Sequence, residues 1–438
     1  MAGNKFGSFY SIMTFGESHG SYIGVVIDGI KPGIDIDEKE IQREMNRRRP
    51  GQSKLTTPRD EKDKAMIVSG IFKGKTTGTP ICILIKNEDP RSKDYSKLQN
   101  IFRPGHAAYT YLKKYGIFDF RGGGRASGRE TATRVAAGAL AKQILKSQGI
   151  EFKAFTRKIG PIEAQLVDYD FIEKNPVRCC DPQAAPRMTA YVDEIVREGD
   201  SIGGIVELHI KGLPTGLGDP VFEKIDAELA HGLMSIGAIK GIEFGDGFRV
   251  SEQKGSETND LFHLSDAGEI EPKTNHSGGV LAGISTGQDI ILRLAVKAPS
   301  SIKKEQTTVD NQGNEVKLSI EGRHDPCICP RVVPVAEAMA ALVILDLILV
   351  QNAISDKNEN MEKVKNELDV VDTQLMLLIR KRHILKANLK KIHPAPLSES
   401  EPQLYTTRIQ SELKKIAQEL DLDENRLEEI WKSINEQN

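Results

Sequence analysis

Three glycine-rich segments of the chain hold histidines or arginines at positions where these residues could do chemistry. His19 lies in residues 16–20, of sequence GESHG, and His106 lies in residues 103–106, of sequence RPGH. An imidazole titrates near neutral pH and serves as a general acid or base. Each histidine taken alone is more typical of a turn residue that bonds to backbone, so the chemical interpretation depends on the third segment.

The third segment, residues 121–130 of sequence RGGGRASGRE, runs into a predicted helix that carries Arg134. Consecutive glycines let backbone N–H groups approach a ligand, and a helix N-terminus favours an anion. The arginines add fork-shaped donors that suit phosphate or carboxylate. The spacing departs from the dinucleotide-binding and Walker A patterns. The segment therefore predicts an anion site, with a solvated basic loop as the alternative.

Short apolar runs separated by glycine-rich turns predict the strands that position these segments. The runs lie at residues 23–27, 81–85, 205–210 and 290–296. Strands mixed with helices over about 350 residues predict an α+β or a mixed α/β fold.

Helical patterns lie between and after these strands. Asp37 and Glu40 resemble a capping box ahead of a helix that ends near residue 49, and a second helix is predicted over 131–147. The most apolar stretch, residues 332–350, is interrupted by Glu337 and Asp346. This interruption favours a buried helix over a membrane span.

The glycine distribution divides the chain into two parts. The chain has 438 residues and 39 glycines, and the last glycine is Gly322. Residues 353–360 are polar and predict a linker, after which apolar residues keep a heptad spacing. We therefore predict one domain over 1–352, a linker over 353–360 and an all-α domain over 361–438. The heptad places Arg382 on the apolar seam, where it either extends its head to solvent or binds an anion.

Net charge and cysteine content exclude several classes of protein. The chain has 60 Lys and Arg against 62 Asp and Glu, so its net charge of −2 predicts neither nucleic acid nor a membrane surface as partner. Its five cysteines are scattered and odd in number, which excludes a disulfide framework. Cys327 and Cys329 lack zinc spacing, so no metal site is expected. The pattern is typical of free thiols in the cytoplasm.

Taken together, these segments resemble the signature sequences of the chorismate synthase family. The matching stretches follow one another in order at residues 16–20, 46–51, 103–106, 121–134 and 322–327. The resemblance covers about residues 1–350 and implies a β-α-β sandwich fold. It also implies the conversion of 5-enolpyruvylshikimate-3-phosphate (EPSP) to chorismate and phosphate. In the family this anti-1,4-elimination uses reduced FMN with no net redox change, and the enzyme is a homotetramer.

The resemblance implies a role for several polar residues of these stretches. His19 is expected to be the acid at the leaving phosphate, and His106 to lie near the flavin N1 edge and balance its charge. Asp325 is expected to tune or relay the proton at flavin N5, with Ser18 and Ser127 as supporting hydroxyls. A non-catalytic flavin- or phosphate-binding protein is the alternative, and the presence of both histidines and the aspartate argues against it.

The resemblance also implies two sets of binding residues. The expected flavin contacts are Arg125, Ala126, Ser127, Gly237, Ala238, Ala282, Lys297, Ala298, Pro299, Ser300, Ser301 and Arg323. The expected substrate or nucleotide contacts are Arg48, Arg49, Lys54, Arg129, Arg134 and Arg331. Lys54 stands where many members of the family have an arginine near a nicotinamide-nucleotide site. We therefore expect an external flavin reductase to supply reduced FMN, with NADPH as the alternative.

Residues 369–382 resemble the first helix of the all-helical chorismate mutase family. Arg382 falls on one of that family's ligand arginines, and Lys365 stands where an N-terminal arginine is expected. Two other ligand positions are changed, since they fall near His393 and Gln403. The prediction is a mutase-like module of weak or absent activity that dimerises or regulates the protein, with an active chorismate mutase as the alternative.

Overall fold

A computed structural model of the chain describes most of its residues. These are 3–52, 61–88, 98–265, 268, 270–320, 324–354 and 357–392, with isolated positions between 408 and 433. The chain divides into two compact units, residues 1–354 and 355–438. The division falls two residues after the domain end that the sequence predicts at 352.

Two five-stranded antiparallel sheets belong to the first unit. The first sheet runs in the order β1 (Lys5–Phe6), β2 (Ser11–Phe15), β3 (Tyr22–Asp28), β7 (Ile81–Lys86) and β4 (Ala65–Ile67). The second runs in the order β11 (Ile239–Phe244), β16 (Ile290–Val296), β10 (Gly204–Lys211), β8 (Glu151–Ile159) and β9 (Ile162–Glu163). All four predicted strands are confirmed, as β3, β7, β10 and β16.

Four short two-stranded hairpins are also present in the described part of the first unit. They pair β5 (Ile71–Phe72) with β6 (Lys75–Thr76), β12 (Phe262–Leu264) with β13 (Ile270–Pro272), β14 (Val280–Leu281) with β15 (Ile284–Ser285), and β17 (Gln306–Val309) with β18 (Glu315–Leu318). The helices are α1 (Glu38–Arg48), α2 (Ala108–Tyr115), α3 (Thr131–Lys146), α4 (Ala184–Arg197), α5 (Ile225–Met234), α6 (Gly255–Thr258), α7 (Cys329–Ile354) and α8 (Lys357–Ile392).

Helices α3 and α7 form the layer between the two sheets. α3 contacts β3 and β7 of the first sheet and β8 of the second, and α7 contacts α3, β8 and β10. The two helices cross closely because Gly138 has no side chain. A Cβ there would lie 2.4 Å from the Cβ of Ala338. Alternate residues of β3, such as Ile23 and Val25, are buried, as expected for strands that face this layer.

α7 is the apolar helix that the sequence predicts to be buried. Its length and composition would allow it to span a membrane, but 78% of its most apolar 18-residue stretch is buried inside the fold. Its one carboxylate within the buried part, Glu337, pairs with Arg47 at 2.5 Å and with Lys142 at 2.6 Å. A buried charge needs such partners to offset its desolvation. The helix is therefore part of the protein core.

α1 begins at Asp37 as predicted, but only half of the predicted capping box forms. The Asp37 carboxylate accepts a hydrogen bond from the backbone N–H of Lys39 at 2.8 Å. The Glu40 carboxylate instead pairs with Arg43 at 2.5 Å on the exposed surface. Such an i,i+3 pair competes with the return bond that a capping box needs.

The second unit is described mainly through α8. This helix begins at Lys357, so residues 357–360, which the sequence predicts as linker, form its first turn. Lysine, asparagine and glutamate are adequate helix residues, so their polarity does not prevent helix formation. The heptad residues Leu368, Val371 and Leu378 are more than half exposed. The predicted second and third tail helices fall largely outside the described residues.

Candidate active site

A cavity of about 710 Å³ collects most of the residues that the sequence singles out. It lies where the loop after β16 meets the glycine-rich segment before α3 and the approach to α7. Of the predicted site residues, those that line it are Arg48, His106, Arg125, Ala126, Ser127, Arg129, Arg134, Gly237, Ala238, Lys297, Ala298, Pro299, Ser300, Ser301, Asp325 and Arg331. Its volume suits a cofactor or substrate of moderate size.

Six residues that the sequence predicts for the synthase site are not among the described residues that line this cavity. Arg323 and Lys54 lie outside the described residues. Ala282 is exposed in the turn between β14 and β15, at a φ of +51°, and Arg49 ends α1 with its N–H bonded to Met45. The remaining two, Ser18 and His19, pack against the glycine-rich loop at Gly122. The roles predicted for all of the site residues, those that line the cavity included, stay predictions.

The cavity wall carries a large surplus of positive charge. Its described lining includes the carboxylates of Glu130 and Asp325 against seven cationic side chains, which are Arg48, Arg125, Arg129, Arg134, Lys240, Lys297 and Arg331. Field lines concentrate in a concave site whose walls carry one sign of charge. The site therefore suits a ligand with several negative charges.

Arg125 and Ser127 are held by the turns that precede α3. The chain forms two 3₁₀ turns, Gly124–Ala126 and Gly128–Glu130, and Ser127 caps the second by accepting from the backbone N–H of Arg129 at 3.2 Å. The Arg125 guanidinium donates to the hydroxyl of Thr14 at 2.6 Å and to its carbonyl at 3.2 Å. These bonds anchor the glycine-rich segment to strand β2.

Arg48 and Arg129 share one buried carboxylate, that of Asp63. Arg48 donates to one oxygen of Asp63 at 3.2 Å, and Arg129 pairs with the other. Arg129 also donates to the side-chain carbonyl of Asn87 at 2.8 Å. Burial lowers the pKa of Arg48 to about 9, with Asp63 opposing this shift and Arg331 and Arg129 adding to it. The cation of Arg48 is therefore stabilised by any anion that enters the cavity.

Two further arginines of the cavity are oriented by carboxylates that lie close to them in sequence. Arg331, in the first turn of α7, pairs at 2.5 Å with Asp325, which precedes that helix. Arg134 pairs with Glu130 at 2.9 Å and donates to the hydroxyl of Ser235 at 2.6 Å. Pairing of this kind fixes the guanidinium forks in place before a ligand arrives.

His106 is held as a neutral imidazole. Its Nδ1 accepts a hydrogen bond from the backbone N–H of Ala108 at 3.2 Å, which assigns the proton of the neutral ring to Nε2. Burial, together with the charges of Arg103 and His324, lowers the pKa of His106 to about 3. The ring also meets Phe118 edge to face, with centroids 6.2 Å apart. His106 thus offers the cavity a hydrogen-bond donor near neutral pH.

The loop after β16 is fixed on both sides of the cavity mouth. The backbone N–H of Lys297 donates to the carbonyl of Ala238 at 2.8 Å, and Ala238 itself has a φ of +71°. The Pro299 carbonyl accepts from the hydroxyl of Ser201 at 2.6 Å. A Cβ added at Gly105 would lie 3.0 Å from the Lys297 ammonium. Glycine at this position therefore lets the two loops approach.

Ser18 and His19 pack against the glycine-rich loop at Gly122. A Cβ at Gly122 would lie 2.9 Å from Nε2 of His19 and 3.1 Å from Oγ of Ser18. The Ser18 hydroxyl is buried and has no hydrogen-bond partner among the described residues. The buried Arg103 donates to the Gly122 carbonyl at 2.7 Å. Since Arg103 also belongs to the His106 loop, it links the surroundings of the two histidines.

Sequence reasoning missed several residues of the cavity. Asp63 sits in a run of alternating charges that is typical of a solvated loop, so the sequence carries no signal of its burial. Lys240 and Tyr111 line the cavity from β11 and α2 without any motif around them. His324 also lines the cavity, and although it lies in the matching stretch 322–327, the resemblance implies no role for it. Its pKa is lowered by burial and by the charge of Arg103.

Comparisons with known proteins agree with this arrangement. A family model described as chorismate synthase matches residues 10–349. The chorismate synthase of Lachnoclostridium phytofermentans is 50% identical over 369 residues, covering 83% of this chain and 99% of that protein. Those of Synechocystis sp. and Methanosarcina mazei are each 52% identical, covering 79% and 80% of this chain and 97% of each relative.

A crystal structure of chorismate synthase has the same mixed α/β fold. It superposes with a TM-score of 0.65 at 28% identity, covering 84% of this chain and all of the other. The family match and these relatives cover the first unit and its cation-rich cavity. The chain therefore belongs to the chorismate synthase family of carbon–oxygen lyases.

Proposed function

We propose that the chain eliminates phosphate from EPSP to give chorismate at the cation-rich cavity. The observation that carries the proposal is the surplus of seven cationic side chains over two carboxylates in the described lining. EPSP carries a phosphate and two carboxylates, so its charge is opposite in sign to this surplus and the cavity offers cations for each of its three anionic groups. The carbon–oxygen bond to the phosphate breaks, a ring carbon loses its proton and the ring gains a double bond, so no net oxidation occurs. The released phosphate leaves as an anion that the same arginines stabilise.

The residues present fit reduced FMN as the cofactor. Residues 125–128 of the glycine-rich segment line the cavity, Arg125 adds a cation, and residues 297–301 form a loop held to Ala238 by the 2.8 Å bond from Lys297. We propose that Arg125, Ala126, Ser127 and residues 237–238 and 297–301 hold the flavin. When bound, reduced flavin supplies the electron density and the basic nitrogen that the elimination uses.

We propose that His106 balances the charge of that cofactor and that Asp325 tunes or relays a proton beside it. The neutral ring of His106 donates from Nε2, and an anion in the cavity would raise its lowered pKa and favour its protonation. The Asp325 carboxylate is positioned by Arg331 at 2.5 Å. Both side chains line the same cavity. Both side chains therefore face the site at which the cofactor is proposed to bind.

We propose that His19 is the acid that protonates the leaving phosphate. The support for this role is the contact of His19 with Gly122. Because glycine has no side chain, the imidazole packs directly against the backbone of the glycine-rich segment. Positioned acids typically contribute about 10²- to 10⁴-fold to a rate. Ser18, with its unpartnered buried hydroxyl, and Ser127 are proposed as the supporting hydroxyls.

The proposal is tested by His19→Ala in anaerobic solution with EPSP and chemically reduced FMN. We expect chorismate formation to slow by about 100-fold or more, with flavin binding changed by less than about twofold. His263→Ala serves as the matched control, because that histidine lies on the exposed hairpin of β12. Near-normal turnover in His19→Ala would contradict its assignment as the acid.

We infer that an external flavin reductase supplies the reduced FMN, with NADPH as the alternative electron source. The support is the sequence departure at Lys54, which lies outside the described residues. Purified chain incubated with oxidised FMN, EPSP and NADPH should release no phosphate until a flavin reductase is added. Phosphate release with NADPH alone would show that the chain reduces flavin itself.

We propose a homotetramer, and the outer face of the first sheet supports association of copies. Met13, Phe15, Tyr22 and Met66 expose apolar surface on neighbouring strands of that sheet. Exposed apolar patches of this kind mark interaction sites. Sedimentation of the wild type as a tetramer, and as a smaller species after Met13→Lys, would support the proposal.

We also propose a cytoplasmic location. The free state of all five thiols is compatible with that location.

We propose that the second unit is a mutase-like module of weak or absent activity. Lys365 is exposed on α8 and the heptad seam is exposed in the single chain, which favours association over a ligand pocket. The chain should therefore form prephenate from chorismate far more slowly than a dedicated mutase. Comparable turnover would favour the alternative, an active chorismate mutase that uses Arg382.

A further inference from the structure

Asp63 is the one acidic side chain that contacts two arginines of the cavity while it does not line the cavity itself in the described structure. It is 1% exposed and lies two residues before β4. One oxygen accepts from Arg48 and the other from Arg129. Each carboxylate oxygen thus serves one guanidinium.

The position of Asp63 is fixed by backbone as well as by charge. Its φ of +46° lies in the left-handed region, which costs energy for a residue other than glycine. The Gln42 side chain of α1 holds it there, because its amide donates to the Asp63 carbonyl at 3.2 Å and its carbonyl accepts from Ala65 at 3.1 Å. Strain of this kind persists only where the surroundings fix the conformation.

Arg48 and Arg129 differ in how many of their guanidinium nitrogens are hydrogen-bonded to described residues. Arg129 is bonded on three sides, by Asp63, by Asn87 at 2.8 Å and by the Lys86 carbonyl at 3.1 Å. Arg48 is 1% exposed, yet its Nε and Nη2 have no hydrogen-bond partner among the described residues. Buried polar groups are normally bonded, so an orphaned guanidinium edge in a cavity wall points to a ligand.

We propose that Asp63 is a positioning residue that orients Arg48 and Arg129 toward an oxyanion of the substrate. It offsets part of the repulsion at Arg48, which lies close enough to Arg129 and Arg331 to feel the charge of both. It also leaves one edge of Arg48 free for the ligand. The identity of that ligand as EPSP rests on the proposed function, whereas the need for an oxyanion rests on the geometry.

The experiment measures binding without turnover, using intact full-length protein and no reduced flavin. EPSP and, separately, inorganic phosphate are titrated calorimetrically into the wild type and into Asp63→Asn. The asparagine keeps the size of the side chain and tolerates the left-handed backbone, but it removes the charge. Asp35→Asn is the matched control, because that carboxylate is 83% exposed and pairs only with Lys75 in the described structure.

We expect Asp63→Asn to bind EPSP about 10- to 100-fold more weakly, and Asp35→Asn to bind within twofold of the wild type. In steady-state assays the same variant should raise KM for EPSP more than it lowers kcat. A folded Asp63→Asn that binds EPSP and phosphate as tightly as the wild type, with only its melting temperature lowered, would overturn the proposal in favour of a purely structural role.

A second variant keeps the test valid if Asp63→Asn does not fold. Gln42→Ala removes the backbone clamp of Asp63 and leaves every charge in place, and we expect about three- to tenfold weaker binding. Unchanged binding in that variant would count against the proposal. If the wild type binds phosphate in an Asp63-dependent way but does not bind EPSP, the positioning role stands and the proposed substrate is wrong.

Discussion

His106 gives the sharpest prediction, because its protonation state controls both stability and ligand response. Its pKa falls from 6.5 to about 3 in the folded protein, mainly through burial and further through the charges of Arg103 and His324. Since the folded pKa lies below the unfolded one, the unfolded chain takes up a proton first as the pH falls. Stability is therefore complete above pH 6.5 and declines as the pH falls from there toward 3.

The size of the effect follows from the shift. Each pKa unit corresponds to about 1.4 kcal/mol, so the fall from pH 6.5 to pH 5 costs about 2 kcal/mol for a fully buried ring. The His106 ring is half-buried, and solvent screening reduces this to about 1 kcal/mol. His106→Gln removes the titrating group, so the variant should lose about 1 kcal/mol less than the wild type between pH 7 and pH 5.

Urea unfolding at pH 5, 6 and 7 measures this difference, with His263→Gln as the matched surface control. ¹⁵N NMR of the imidazole gives a direct reading, and the ligand-free ring should remain neutral at pH 5.5. An anion in the cavity should raise the pKa, so phosphate binding at pH 6 should take up protons, detectable calorimetrically in buffers of different ionisation enthalpy. A ring that titrates above pH 6 in the free protein, or an unchanged slope in His106→Gln, would refute the reasoning.

Two further variants test the site and the core. Gly122→Ala should lower turnover about tenfold or more, because its Cβ would lie 2.8 Å from the His19 ring. Gly116→Ala is the control, since it has a similar positive φ and nothing within 4 Å of its Cβ, and equal losses in both would leave only backbone strain as the cause. Glu337→Gln should lower the free energy of unfolding by about 1.5–3 kcal/mol in urea, because the partly buried Arg47 and Lys142 lose one of their carboxylates and keep only Glu44 in common. A loss below about 1 kcal/mol would show that those cations find other partners.

The sequence predicted the parts of the fold and site that depend on local pattern. Short apolar runs between glycine-rich turns predicted β3 and β16, and the long apolar stretch predicted α7, because burial of a whole element is visible in its composition. The glycine-rich segment carried Arg125, Ser127 and Arg129 into the cavity together, since motif residues a few positions apart stay close in space. These elements needed no knowledge of distant contacts.

The remainder depended on contacts between distant segments. Asp63 is buried because Arg48, from α1, and Arg129, ahead of α3, converge on it, and neither arrives from its own neighbourhood in sequence. Glu40 prefers its surface pair with Arg43 over the predicted capping box. The heptad of α8 predicted a helix, yet periodicity alone could not indicate that its seam is exposed in a single chain.

The central claim is that the cation-rich cavity eliminates phosphate from EPSP with reduced flavin and no net redox change. The most direct measurement incubates the full-length chain anaerobically with EPSP and chemically reduced FMN while phosphate, chorismate and the flavin spectrum are followed together. The account predicts equal amounts of phosphate and chorismate, with the flavin still reduced at the end. Absence of both products from protein that binds EPSP, or flavin oxidation in proportion to product, would contradict it.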